Sequence, residues 1–239
     1  MKKKKKTGLV IVLVLVLAIA GLAVWQRGNI RALLLSCTLS REELSEQMGQ
    51  QMARTEEASQ SAGVNVRGMT DEEKAALSSS ELSRDELIDR LAGLAEIESS
   101  ALDTAQAQES AENETVQPEQ TVDPQAALRE QLAKKVAEVY VMEAEYTGWL
   151  EQANQSAIDE FTALPEEEQT SSAKYSIGME YLAEALKKEK ECDQKMKDIE
   201  TEIRSLLTQL GEDTSLADEI HAAYLDEKAS LKAYYLSLH

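Results

Sequence analysis

Few residues in this chain could do chemistry: His221 and His239, Cys37 and Cys192, and the acidic run Glu166–Glu168. A zinc hydrolase of the helical type needs two histidines one turn apart with a further ligand near them. His221 stands alone beside Ile220, and His239 is 18 residues further on. A redox or metal Cys-x-x-Cys pair needs its sulfurs two residues apart, and 154 residues separate Cys37 from Cys192. Paired-carboxylate hydrolysis needs a cleft that fixes the separation of two acids. Three consecutive glutamates between two helical patterns read instead as a solvated loop. Glycine is scarce, and no glycine-rich turn opens a helix to cradle phosphate. No catalytic, cofactor-binding or metal-ligating residue is assigned, and the chain is expected to be non-enzymatic.

The elements that carry these residues begin with a cluster of cations. Lys2–Lys6 precede an uncharged, apolar run from Gly8 to Trp25. As a helix that run would rise about 27 Å, close to the roughly 30 Å hydrocarbon core of a bilayer. Residues 8–26 therefore read as a transmembrane signal-anchor and residues 1–7 as a cytoplasmic basic stub, because lysines are retained on the cytoplasmic side. Arg27 and Arg31 at the far end are outnumbered, and Trp25 falls at the outer headgroup level. The rest of the chain is expected outside the cytoplasm, in a single-pass cell-membrane protein. Ala18-Ile19-Ala20 offers an alternative, a signal peptide cleaved after Ala20 with the body secreted. Leu34-Leu35-Ser36-Cys37 has the look of a lipoprotein box, but Gln26, Arg27, Gly28, Asn29 and Arg31 separate it from the apolar run.

The net charge is −19; without Lys2–Lys6, 20 basic and 44 acidic residues remain. Such a surface repels nucleic acid and anionic lipid headgroups. Two distant cysteines are not a disulfide framework. Apart from Trp25, every aromatic residue lies between Tyr140 and Tyr235, which places the main apolar module in the C-terminal half.

Residues 96–123 carry eight acids and no base, with sparse apolar residues, and read as a disordered acidic linker. Ordering a backbone costs roughly 1–2 kcal/mol per residue, and this composition cannot offset it. Between anchor and linker, residues 38–95 hold short helical segments. Ser40 with Glu43, Thr70 with Glu73 and Ser83 with Glu86 each have the spacing of a capping box. The pair of helices after Thr70 makes a small hairpin that resembles the short oligomerisation hairpins called SHOCT modules.

Residues 124–239 predict an elongated antiparallel three-helix bundle. The first helix, Pro124 to Leu164, carries Leu128, Leu132, Val136, Val139, Met142, Tyr146, Trp149, Ala153, Ala157 and Phe161 at steps of three and four. The second, Ser172 to Leu210, places Leu182, Ala185, Glu189, Cys192, Met196, Ile199, Ile203, Leu206 and Leu210 on strict a and d positions. Glu189 is expected at the rim, with Leu186 filling the seam at its level. Gly211 is a C-cap candidate. A third helix from Thr214 or Ser215 carries Leu216, Ile220, Ala223, Tyr224, Leu231 and Tyr234, and folds back along the hairpin.

The fold class expected is all-α: one N-terminal transmembrane helix, an acidic linker and a coiled-coil-like bundle. The function expected is that of an extracytoplasmic helical scaffold or interaction protein of the cell envelope. Its partners would be the bilayer through residues 8–26 and a protein, or a second copy, through helical surfaces, with no nucleic acid. The alternative is a ligand-binding or sensory module acting with a separate cytoplasmic partner.

Overall fold

The computed structural model describes residues 31–94, apart from Leu33, and 123–237. The expected anchor at 8–26 and all of the acidic tract except Asp123 lie outside them. Among the described residues all regular structure is helical, and no helix there is long and apolar enough to cross a membrane. Residues 31–32 and 34–38 are helical, and after them come α1 (Arg41–Ser61), α2 (Asp71–Ser78), α3 (Arg84–Leu91), α4 (Pro124–Thr162), α5 (Ser171–Leu210) and α6 (Ser215–Leu236), with a 3-10 turn at Glu166–Glu168 between α4 and α5.

Local chemistry sets most of these boundaries. Thr70 Oγ1 accepts from the Glu73 amide at 3.3 Å, and the Glu73 carboxylate accepts from the Thr70 amide at 3.0 Å. Ser83 with Glu86, and Ser40 with Glu43, close the same reciprocal box. Each box satisfies amides that a helix start leaves without an intrahelical partner. Asp123 caps α4, with Pro124 at its first position, where a missing N–H costs nothing. Thr170 caps α5, accepting from the Ala173 amide at 3.2 Å. Gly211 ends α5 at φ +73, a left-handed conformation in which a Cβ would be strained. Val64 and Val66 are buried in an irregular stretch that forms no strand; the Arg67 amide bonds Leu91 O at 3.1 Å instead.

The chain divides into two compact units. The larger is Thr55–His221. Within it α4 and α5 run antiparallel, since Arg129 meets Glu212 at 2.7 Å, Lys135 meets Glu202 at 2.8 Å, and Tyr181 Oη meets Glu160 at 3.3 Å. Leu132, Val136, Val139, Tyr140 and Met142 of α4 and Cys192, Met196, Ile199, Ile203 and Leu207 of α5 are buried. Leu87 and Leu91 of α3 are buried with them in the same unit, and α3 packs on α4. The short helices therefore do not stand apart from the module that follows the acidic tract. An added Cβ on Gly148 of α4 would lie 3.6 Å from Ser78 Oγ at the end of α2, so α2 also abuts α4.

The smaller unit draws its described residues from 31–54 and 222–237. Its apolar centre is Ala32, Leu44 and Ala233, with Leu35, Leu39 and Tyr234 packed against it. Arg31 pairs with Asp226, which also lies 3.5 Å from Arg54, and Arg41 Nη2 donates to Ser237 O at 2.9 Å. Here the grouping differs from the expected boundaries. The first turns of α6 pair with α5, but residues 222–237 cluster with the residues just after the apolar N-terminal run, so 124–239 is not a self-contained unit.

Candidate functional site

Ion pairs link the helices of the larger unit. Arg84 of α3 donates to Glu138 at 2.9 Å and to Glu145 at 2.6 Å, both on α4. Glu138 also accepts from Lys135 at 3.0 Å, and Lys135 reaches Glu202 of α5 at 2.8 Å. Lys134 meets Asp89 at 3.0 Å. Arg204 joins Glu200 at 2.7 Å to Asp218 of α6 at 2.6 Å, and His221 Nδ1 lies 2.9 Å from Glu200 Oε2. These pairs stitch α3, α4, α5 and the start of α6 together. The groove beside Lys135, lined by Gln131, Glu202 and Gln209, is shallow and open, and its cations are already paired.

Two carboxylates in this framework are held below the ordinary 4.5. Burial alone would raise Glu138, but bonds from Lys135 and Arg84 outweigh it. For Glu73 the bond from Arg67 outweighs burial, and the Thr70 amide assists. A carboxyl whose folded pKa is depressed stabilises the fold above its unfolded value, and that stability is lost as pH falls through the folded value. Urea midpoints are therefore expected to be level above about pH 5 and to fall as acid is added below 4.5. Glu138→Gln should flatten that fall; an unchanged slope would show that Glu138 carries none of it.

Of the residues first considered for chemistry, His239 lies outside the described residues, and the others form no common cluster. His221 is half-buried, with Nδ1 2.9 Å from Glu200 Oε2 of the neighbouring helix. Cys192 is buried, and burial pushes its thiol up, which disfavours the nucleophilic thiolate. Cys37 is exposed and unbridged, and it belongs to the smaller unit. Glu166–Glu168 form the exposed 3-10 turn at the hairpin tip. Among the described residues no group of acids, histidines and cysteines is placed to hold a metal ion.

What stands out is apolar. From Glu143 to Glu191 the α4–α5 hairpin has no fully buried side chain. On α5 the half-buried Ile177, Tyr181 and Ala185 face α4, and Tyr181 is hydrogen-bonded across to Glu160. Tyr175, Met179, Leu182 and Leu186 fall on another side of the same helix, at steps of four, three and four, and are 70%, 46%, 48% and 47% exposed. Leu182 was expected in the seam and Leu186 beside Glu189; the structure corrects both. An α-helix drifts by about 20° per heptad against a strict seven-residue repeat. Three heptads separate Leu182 from the buried Ile203, so the seam moves to Tyr181 while Leu182 turns outward.

Ile158 of α4 is exposed as well, one residue past the half-buried Ala157. Leu182 and Leu186 each likewise follow an α4-facing residue by one. A one-residue step turns two antiparallel helices toward the same side of the pair. Ile158 therefore shares a side of the hairpin with the α5 stripe, and the Glu160–Tyr181 bond sets it at the same height.

No known protein family, curated protein or solved structure matches this chain, the SHOCT-like hairpin included.

Proposed function

We propose that this protein is a membrane-anchored helical interaction module of the cell envelope, with no catalytic step of its own. Residues 8–26 hold it in the bilayer, Lys2–Lys6 keep the N-terminus in the cytoplasm, and the helical units lie outside. The observation that carries the interaction reading is the stripe Tyr175, Met179, Leu182 and Leu186 with Ile158, an apolar face left uncovered in an otherwise highly charged chain. An exposed contiguous apolar face rimmed by polar residues is the kind of surface that marks association. The charged pairs and buried residues of the same unit supply a rigid base from which the hairpin presents that face.

A cysteine at Gln117 is expected to react with an impermeant maleimide in intact cells; labelling only after lysis would refute the orientation. For the interaction, a photo-crosslinking residue at Leu182 should give discrete adducts that are absent from the same residue at Lys197, an exposed position on the same helix. Equal adducts at both positions would refute a specific surface.

A further inference from the structure

The interaction reading, on which this inference rests, leaves the chemistry of the partner open, and charge supplies it. Between Val136 and Ala173 the chain has no lysine or arginine. In its distal part Glu151, Asp159, Glu160 and Glu166–Glu168 are all exposed. Glu151 lies two turns before Ile158 and shares its face; Glu189 lies two turns after Leu182 and shares that one. On α5 between Lys174 and Glu191 four lysines are matched by four glutamates. The apolar stripe is thus bordered on one side by a balanced helix and on the other by the distal part of α4, which carries acids and no cation.

We infer that the stripe docks a cationic amphipathic helix from a partner protein. The stripe spans 11 residue steps, about 17 Å or three turns. Apolar residues of the partner at i, i+3, i+4 and i+7 would lie against Met179, Leu182, Leu186 and Ile158, as in helix-in-groove recognition. Its lysines or arginines would fall beside Glu151 and Asp159, where opposite charge speeds encounter and fixes orientation. A second copy fits less well, because it brings its own uncompensated acidic helix to the same surface. An anionic membrane surface is repelled for the same reason. The exposed small residues Gly178 and Ala183 beside the stripe let a helix approach closely.

The test uses the full chain in a zwitterionic detergent and a synthetic helix of about 18 residues, five turns, with leucine on one face, lysine on the other and a benzophenone on the leucine face. Mass spectrometry should place its adduct at Met179 or the neighbouring stripe. A charge-inverted leucine–glutamate peptide should give at least about tenfold less, and raising salt from about 0.05 to about 0.5 M should weaken the leucine–lysine adduct. The double variant Leu182→Ser with Leu186→Ser should lose the adduct at least about tenfold while keeping its circular dichroism, since both side chains are half-exposed. Adducts scattered over the chain, or an equal yield from the acidic peptide, would overturn the inference. So would sedimentation showing a dimer that the double variant dissociates, because the stripe would then belong to a second copy. If, with the photo-crosslinking residue moved to Met179 of the same stripe, the double variant removes the cellular adducts while the leucine–lysine peptide never binds, the partner chemistry fails and the interaction surface stands. If the cellular adducts persist unchanged, the surface itself fails.

Discussion

Replacing Ile203 with alanine is expected to destabilise the larger unit by about 2–5 kcal/mol, while the same change at Leu182 costs about 1 kcal/mol or less. Both residues occupy the same position of the heptad read from the sequence, 21 residues apart. Ile203 is fully buried, so truncation removes contacts on every side and leaves a cavity that its neighbours can only partly fill. Leu182 is 48% exposed, and its lost methyl groups are replaced largely by water. Urea denaturation followed by circular dichroism measures both. Equal losses would show that the heptad seam runs unbroken to the tip, and the uncovered stripe would then be core. A Leu182→Ala variant that is stable yet loses partner adducts read from a crosslinking residue at Met179 would separate the binding role of that face from any role in folding.

The contrast also marks what the chain discloses by itself. Helix starts were legible because a capping box is a local device: Ser40, Thr70 and Ser83 each need only a glutamate three residues on. The stop at Gly211 was legible for the same reason, since one residue type tolerates its backbone. The antiparallel pairing of α4 and α5 followed from similar lengths and a short connection. The docking of α3 on α4 was not legible. Leu87 and Leu91 show which side of α3 seeks cover, but an apolar stripe does not name its partner, and the acidic tract between them suggested separation. Nor was the pairing of Arg31 with Asp226, 195 residues away, because one cation among so many carboxylates carries no address.

The candidate surface was present in the sequence and misassigned. Tyr175, Met179, Leu182 and Leu186 form one periodic face, and Ile177, Tyr181 and Ala185 form another. A helix with one apolar face needs one partner; a helix with two needs a second. A heptad read from Leu182 onward places Leu182 and Leu186 in the seam and leaves Tyr175, Ile177, Met179 and Tyr181 outside the repeat. A strict repeat demands supercoiling to stay in register. The drift from Ile203 to Tyr181 is what a helix does when its partner does not impose that supercoil.

Arg84→Glu is expected to detach the short helices from α4, destabilising the larger unit by about 2–4 kcal/mol. Arg84 is 29% exposed, and its partners Glu138 and Glu145 are 24% and 35% exposed, so the trio is neither dry nor fully screened. Simple truncation to alanine removes two charge-assisted bonds, and Lys135 still serves Glu138; a loss of about 1–2 kcal/mol is expected. Charge reversal adds a third carboxylate to two that have lost their cation, and relief requires either proton uptake or separation of α3 from α4. Separation also uncovers Leu87 and Leu91. Trypsin should then cut faster after Lys74 and Arg90, read by mass spectrometry of early fragments. Glu145→Arg in the Arg84→Glu background restores an opposite pair across the same helices and should recover a large part of the loss. Contacting residues couple and distant ones add. Additive effects of the two substitutions would therefore show that Arg84 does not bridge to α4, and that residues 71–94 are held to the hairpin by apolar burial alone.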